Sequence, residues 1–220
     1  MKRHFDEDFD ALKAQILAMG KNVQEAVALA IKGLTERNPA FLEQVHEMEK
    51  TINQSHLEVD QNCISLLARQ SPLGANLRLV FSVVKINADL ERMGDQAVNI
   101  AHNAREYITH DPIKPLVDLP KMGEEVKQMV RDALESFVNL DVALAKKVLV
   151  YDDVVDALKN KIFTDLVILI KKDTSIVDAA FNLILIARNL ERLGDHATNI
   201  AEEAIFDASG QDVRHSRVDT

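Results

Sequence analysis

A twelve-residue phrase occurs twice in this 220-residue chain, as LERMGDQAVNIA at 90–101 and LERLGDHATNIA at 190–201, with nine positions identical. Such a repeat restricts the fold severely, because each copy must carry the same supersecondary unit and the two must bury a face together. The likeness reaches beyond the phrase. Met19-Gly20-x-x-Val23-x-x-x-Val27 matches Met122-Gly123-x-x-Val126-x-x-x-Val130 at an offset of 103, and Asn38 matches Asp141 at the same offset. The phrases themselves lie 100 apart, so three residues are missing from the turn after the fifth helix. A surface turn tolerates that deletion.

Each unit reads as three helices. Phe5, Phe9, Leu12, Ile16, Met19, Val23, Val27, Ala30 and Leu34 recur by threes and fours, the spacing of one apolar helical seam. Asn38-Pro39 supplies a cap and a first-turn proline for a helix over about 39–69, and Ser71-Pro72 is expected to open a third that ends near Ile108. Thr109 to Pro115, with two prolines, breaks the chain. Leu119, Met122, Val126, Met129, Ala133, Phe137 and Leu140 then restart the pattern, and Asp141 and Asp173-Thr174-Ser175 cap helices at about 142–171 and 175–208. The fold expected is all-α: two tandem three-helix bundles, residues 1–110 and 116–209, six long helices in all, with 210–220 as a mobile tail. Scarce aromatics (5%), seven Gly and five Pro agree with long helices.

The formal charge of −9 argues against nucleic acid, whose phosphates attract basic surfaces. Cys63 has no second cysteine to pair with, which suits a reducing compartment. The opening MKRHFDEDFD turns acidic where a signal peptide would be apolar, and the aliphatic runs LVILI and LILIA are too short to cross a bilayer. The expectation is a soluble, cytoplasmic protein without direct membrane insertion, still able to dock on a membrane protein.

In the repeated phrase Glu91, Asp95 and Asn99 stand at i, i+4 and i+8, one helix face, and Glu191, Asp195 and Asn199 repeat them. Leu90, Met93, Ala97, Ile100, Ala101 and Ala104 form the stripe to be buried. Gly94 and Gly194 each cost a helix about 1 kcal/mol relative to Ala, so something must approach the backbone there, a neighbouring helix or a ligand. Asp152 and Asp156 add another i, i+4 acid pair, and 103 residues earlier stand Glu49, Lys50 and Asn53. If the second and third helices of each unit are antiparallel, each unit gathers three or four oxygen donors, a set for Fe, Mn, Mg, Ca or Zn. The competing reading is a solvated ion-pair stripe, with Arg92 on Asp95 and Asp89 and Arg188 on Glu191. Between the copies, His102, Asn103 and Arg105 become Glu202, Glu203 and Ile205, whereas the acids do not change; that contrast favours a shared site.

Other patterns are weaker. Glu43-x-x-His46 has the spacing of a di-iron ligand pair, but such a site needs two and only one is present. His196 corresponds to Gln96, so it cannot serve both copies. No phosphate-binding glycine loop, nucleophile triad or zinc-type Cys/His spacing occurs.

The paired L-E-R-x-G-D-x-A-x-N-I-A segments, each closing a three-helix unit, with S-P-L-G-A-N-L-R leading into the first, resemble the PhoU family of phosphate-uptake regulators over about residues 5–208. The resemblance implies a non-enzymatic, bacterial, cytoplasmic adaptor. It implies two partners, the ATPase subunit of the phosphate ABC transporter and the phosphate-sensing histidine kinase, and repression of the starvation response when phosphate is plentiful. It further implies a homodimer, and divalent or ferric metal ions, iron or zinc, on acid-x-x-x-acid motifs. Carried over by position, these are Glu91 and Asp95, Glu191 and Asp195, and Asp152 and Asp156. The fourth departs from the pattern, reading Glu49-Lys50-Thr51-Ile52-Asn53, so the first unit is expected to hold fewer or weaker ions. The alternative function is a carboxylate-bridged, metal-dependent helical-bundle enzyme.

Overall fold

The computed structural model describes residues 2–214, with side chains from Glu7 onward. The seam position Phe5 and the last six residues of the tail lie outside the described side chains. Six α-helices and no strand occur among the described residues: α1 (Lys2–Thr35), α2 (Pro39–Gln70), α3 (Ala75–Tyr107), α4 (Asp118–Asn139), α5 (Val142–Lys172) and α6 (Val177–Ser209). From Phe9 to Leu34 every seam position of α1 is buried, and so is every one of α4 from Leu119 to Phe137. Leu140 is the exception. It is 48% exposed and caps α4 in the left-handed conformation (φ 55°), because the chain must reverse before Asp141 can cap the next helix.

Caps set most of the helix ends. The Asn38 side chain accepts from the Ala40 N–H at 3.0 Å with Pro39 in the first turn, and Asp141 accepts from the Leu144 N–H at 2.9 Å. Replacing Asp141 by Ala should cost about 1 kcal/mol, measured as a lower urea midpoint with an unchanged slope. Ser71-Pro72 acts differently from the expectation. Ser71 closes α2 in the left-handed conformation, its N–H bonding to Leu67 O, and α3 begins only after Gly74 (φ 60°). Proline makes the residue before it unwelcome in a right-handed helix, so the dipeptide ends one helix instead of opening the next. Asp173 likewise caps a 3-10 turn, Thr174–Ile176, that leads into α6. Past α6, Gly210 (φ 73°) closes the helix, Val213 packs on the core and Arg214 pairs with Asp212.

Helices α1–α3 pack together, as do α4–α6, and the halves meet through α3 on α6 and α1 on α4. The buried residues of both halves form one continuous core. The α1–α4 contact is reciprocal: a Cβ on Gly20 would strike Leu134, and one on Gly123 would lie 3.0 Å from Ile31 Cγ1. Gly20 and Gly123, like Ile31 and Leu134, are 103 apart, so the repeat packs against itself about a local twofold. Helices α3 and α6 run antiparallel, since Arg78 meets Asp207, Lys85 meets Glu203 and Asp89 meets His196. That register brings Met93 near Leu193, and the two copies of the phrase face each other at the crossing.

Candidate functional site

In the second half, α5 lies antiparallel to α6, which brings Asp152 and Asp156 to Glu191 and Asp195. Gly194 makes the approach possible, because a Cβ there would sit 3.2 Å from Asp152 Oδ1 and 3.5 Å from Val155 Cγ1. The Asp152 carboxyl is pushed up to about 6, first by burial and then by the charges of Asp195, Asp156, Glu191 and Asp153. Asp195 is also raised, by burial and by Glu191 and Asp156, with His196 and Lys159 pulling the other way. Lys159 sits within this group, its Nζ 2.8 Å from Asp156 Oδ1 and 2.9 Å from Glu191 Oε1. That ammonium bridges two of the four carboxylates, and neither Asp152 nor Asp195 has a Lys or Arg within 4 Å among the described residues.

The first half repeats the geometry with different chemistry. Gly94 is crowded by Ile52, whose Cγ2 would lie 3.2 Å from an added Cβ. The glycine in both copies therefore answers to a neighbouring helix. Asn53 Nδ2 donates to Glu49 Oε1 at 2.5 Å, and its Oδ1 is buried without a hydrogen-bond partner. Where the second half has the acid pair Asp152 and Asp156, the first has Glu49 and a neutral amide, with Glu91 and Asp95 on α3. Glu43 pairs with Arg105 at 2.6 Å across the α2–α3 surface, an ordinary ion pair and no part of a ligand set with His46.

The ion-pair stripe does not form. Among the described residues Arg92 pairs with neither Asp95 nor Asp89, and the cation on Glu191 is Lys159, not Arg188. Asp89 turns across the interface, 2.8 Å from His196 Nδ1 and 3.2 Å from the donating Nδ2 of Asn199. Asn199 therefore leaves the acid face on which its spacing placed it. Glu203, read above as a freely varying position, is 5% exposed and bridged to Lys85 at 2.7 Å, with Ser82 Oγ at 3.4 Å from its other oxygen. These cross-half pairs were invisible to a search along single helices; they follow only from the α3–α6 register. Between the two phrases lies a polar cleft, walled by Glu91, Arg92 and Asp95 from α3 and by Arg192, Asp195 and His196 from α6.

A metal ion can be tested against these donors. The four carboxylates of the second half suit a hard or borderline cation in number, and their mutual repulsion is the charge such an ion relieves. As the side chains stand, no three His, Cys, Asp or Glu groups among the described residues are placed to hold one ion together. Lys159 occupies the position between Asp156 and Glu191, so an ion there requires its side chain to turn away. In the first half the orphaned Asn53 oxygen is a fitting neutral donor, but the set is one charge poorer.

Comparison with known proteins agrees with this architecture. A family model described as the PhoU domain matches twice, over residues 16–104 and 119–204. A phosphate-specific transport system accessory protein PhoU homolog from Pseudomonas putida is 35% identical over 216 residues, 98% of this chain and 84% of its own. Its counterpart in Aquifex aeolicus is 37% identical, covering 96% of both chains, and the Escherichia coli accessory protein is 30% identical over 96% and 88%. The crystal structure of PhoU from Pseudomonas aeruginosa superposes with a TM-score of 0.89 at 34% identity, covering 94% of this chain and 100% of that one.

Proposed function

Since this chain belongs to the PhoU family, we propose that it is a non-catalytic adaptor that couples the phosphate ABC transporter to its sensor histidine kinase and holds the starvation response off when phosphate is plentiful. The observation that carries the reading is the coverage: both repeats match the family along nearly their whole length, and relatives of that length are named as accessory proteins of the phosphate-specific transport system. No helix among the described residues is long and apolar enough to cross a membrane, so attachment to the transporter runs through a protein surface, the ATPase subunit on the cytoplasmic side. Phosphate itself is a poor direct ligand for a chain of charge −9, which repels anions. The transporter's conformation then decides whether adaptor and kinase meet. Affinity purification of the full chain at high phosphate should retain the ATPase subunit and the kinase, and disruption of the gene should switch on phosphate-starvation reporters in rich medium. Absence of both partners at every phosphate level would end the reading.

Metal binding on the acid faces is the second part. Asp152, Asp156, Glu191 and Asp195 would hold the ion of the second half, and Glu49, Asn53, Glu91 and Asp95 a weaker one in the first. Elemental analysis of protein purified without chelators or metal-affinity tags tests it. Asp195→Asn should remove most of the bound iron or zinc and Asp95→Asn a smaller share, whereas equal losses would contradict the asymmetry.

A further inference from the structure

The two halves diverge at one place, where the second helix of each unit passes the middle of the third. In the first half that place holds Asn87, fully buried, which ties α3 to α2: its Nδ2 donates to His56 O at 2.9 Å and to Asp60 Oδ1 at 3.0 Å. In the second half the residue 100 further on is Ala187, 2% exposed, whose methyl group cannot bridge to α5. Beside it Ala88 is replaced by Arg188, and Asp60 is replaced, 103 residues on, by Phe163. What opens is a cleft of about 380 Å³, mainly apolar inside, with Phe163 on α5 and Ile184 and Ala187 on α6 as its walls and Lys159, Arg188 and Glu191 at its edge.

These three replacements act together. Loss of the amide makes room, Phe163 turns a half-exposed ring to the space, and Ile184, packed against the core, forms the facing wall. The charge of the lining is unbalanced in the same direction. Lys159 and Glu191 satisfy each other at 2.9 Å, whereas Arg188 has no ion pair and no side-chain hydrogen bond among the described residues. The cleft itself therefore carries two cations against one carboxylate. The chain's −9 charge weighs little against that, because exposed charges farther off than about 10 Å are screened at ordinary salt. A confined apolar cleft with one unsatisfied guanidinium has the make-up of a small-molecule site. The guanidinium fork takes a carboxylate or phosphate through two N–H donors, and an aromatic side chain takes a flat ring by offset stacking.

We propose that the α5–α6 cleft is a binding site for a small aromatic anion, its ring lying between Phe163 and Ile184 over Ala187 and its carboxylate or phosphate on Arg188. The site is confined to the second half, since Asn87, Asp60 and Ala88 deny the first half the room, the ring and the cation. The proposal goes beyond the adaptor reading and rests on no part of it, and it uses none of the acids as ligands.

The test titrates the full chain, in chelator, with four probes: naphthoate, naphthyl phosphate, neutral naphthamide and inorganic phosphate. Naphthoate or naphthyl phosphate should shift the amide resonances of 159–163 and 184–188, and should bind about tenfold more tightly than naphthamide, the worth of one charge-assisted hydrogen bond. Inorganic phosphate, which has no ring to stack, should bind more weakly still. The tighter of the two aromatic anions names the head group, and either order supports the site. Arg188→Ala, which installs the first half's residue at an exposed position, should bring both anions down to the level of naphthamide with an unaltered melting curve. Ala187→Asn should abolish binding of all three aromatic probes by refilling the cleft; if it also lowers the melting curve, Phe163→Asp, at another exposed position, gives the same reading. The proposal is overturned if neither aromatic anion binds, if naphthamide or inorganic phosphate binds as tightly as they do, or if Arg188→Ala leaves their affinity unchanged. It is overturned as well if Phe163→Asp turns a dimer into a monomer while aromatic-anion affinity holds, since the face would then belong to a second copy. Failure to retain the transporter subunit would end the adaptor reading and leave this result standing.

Discussion

Lys85→Met should cost this protein about 3 kcal/mol, the usual penalty for stranding one member of a buried ion pair. Glu203 is only 5% exposed, and Lys85 is its sole cation within 4 Å among the described residues, at 2.7 Å. Without that ammonium the carboxylate keeps one hydroxyl, Ser82 Oγ at 3.4 Å, against the loss of most of its water. Lys85 also packs over the rings of Phe81 and Phe206, 4.6 and 5.7 Å from their centroids, and Met replaces much of that contact. The measured loss therefore reports charge more than packing. Because the pair ties α3 to α6, the principal joint between the halves, the whole cooperative transition should move, by about 6–12 °C for a chain of this size. The double variant Lys85→Met with Glu203→Leu should recover most of it, since an apolar pair of similar volume is close to neutral in such a position. A single variant within about 1 kcal/mol of the parent, the value of a solvated surface pair, would mean that water reaches Glu203. A double variant no better than the single would mean that packing, not charge, holds the joint.

That ion pair also shows where sequence reading stops. The helices, their seams and the duplication were legible because each is a local regularity: apolar spacing of three and four, capping residues before helices, prolines in the break. Asn38 and Asp141 cap as their residue types predict. Ser71-Pro72 misled because a proline after a polar residue marks either end of a helix, and only Gly74 with its positive φ decides which. The acids of the second half were legible as two i, i+4 pairs, and their meeting was expected on the condition that the second and third helices of the unit pack antiparallel, as α5 and α6 do. Lys159 was not foreseen, although it stands three residues after Asp156; it reaches Asp156 and Glu191 together only because α5 and α6 are brought close at Gly194. Asp89 was assigned to Arg92 by spacing along one helix, and the fold gives it His196 from the other half. Spacing finds neighbours on one helix. It carries no information about a partner a hundred residues away.

Asp152→Asn should make the metal-free protein more stable at pH 7.5, an unusual sign for a change inside a half-buried polar cluster. Burial and four neighbouring acids push this carboxyl from 3.8 up to about 6, so the native state holds the proton more tightly than the unfolded chain does. Between those two values the folded protein binds more protons, and stability falls as pH rises through that window. Well below pH 3.8 the group is neutral in both states and the penalty is absent. Above pH 6 it is fully present. A shift of that size corresponds to at most about 3 kcal/mol, and solvent screening at a half-buried site brings it to roughly 1–2 kcal/mol. The amide keeps the shape and removes the charge, so the variant should melt about 3–6 °C higher than the parent at pH 7.5 and together with it at about pH 3. Asp195, raised by the same causes, should behave alike on its own, and the two changes should add to less than their sum because each relieves repulsion felt by the other. An added divalent cation reverses the comparison: it should stabilise the parent and do little for Asp152→Asn if the repelling carboxylates are kept for an ion. If Asp152→Asn instead melts lower at pH 7.5 in chelator, the carboxylate is making a hydrogen bond worth more than the repulsion it suffers, and the case for a cation seat between α5 and α6 loses its electrostatic basis.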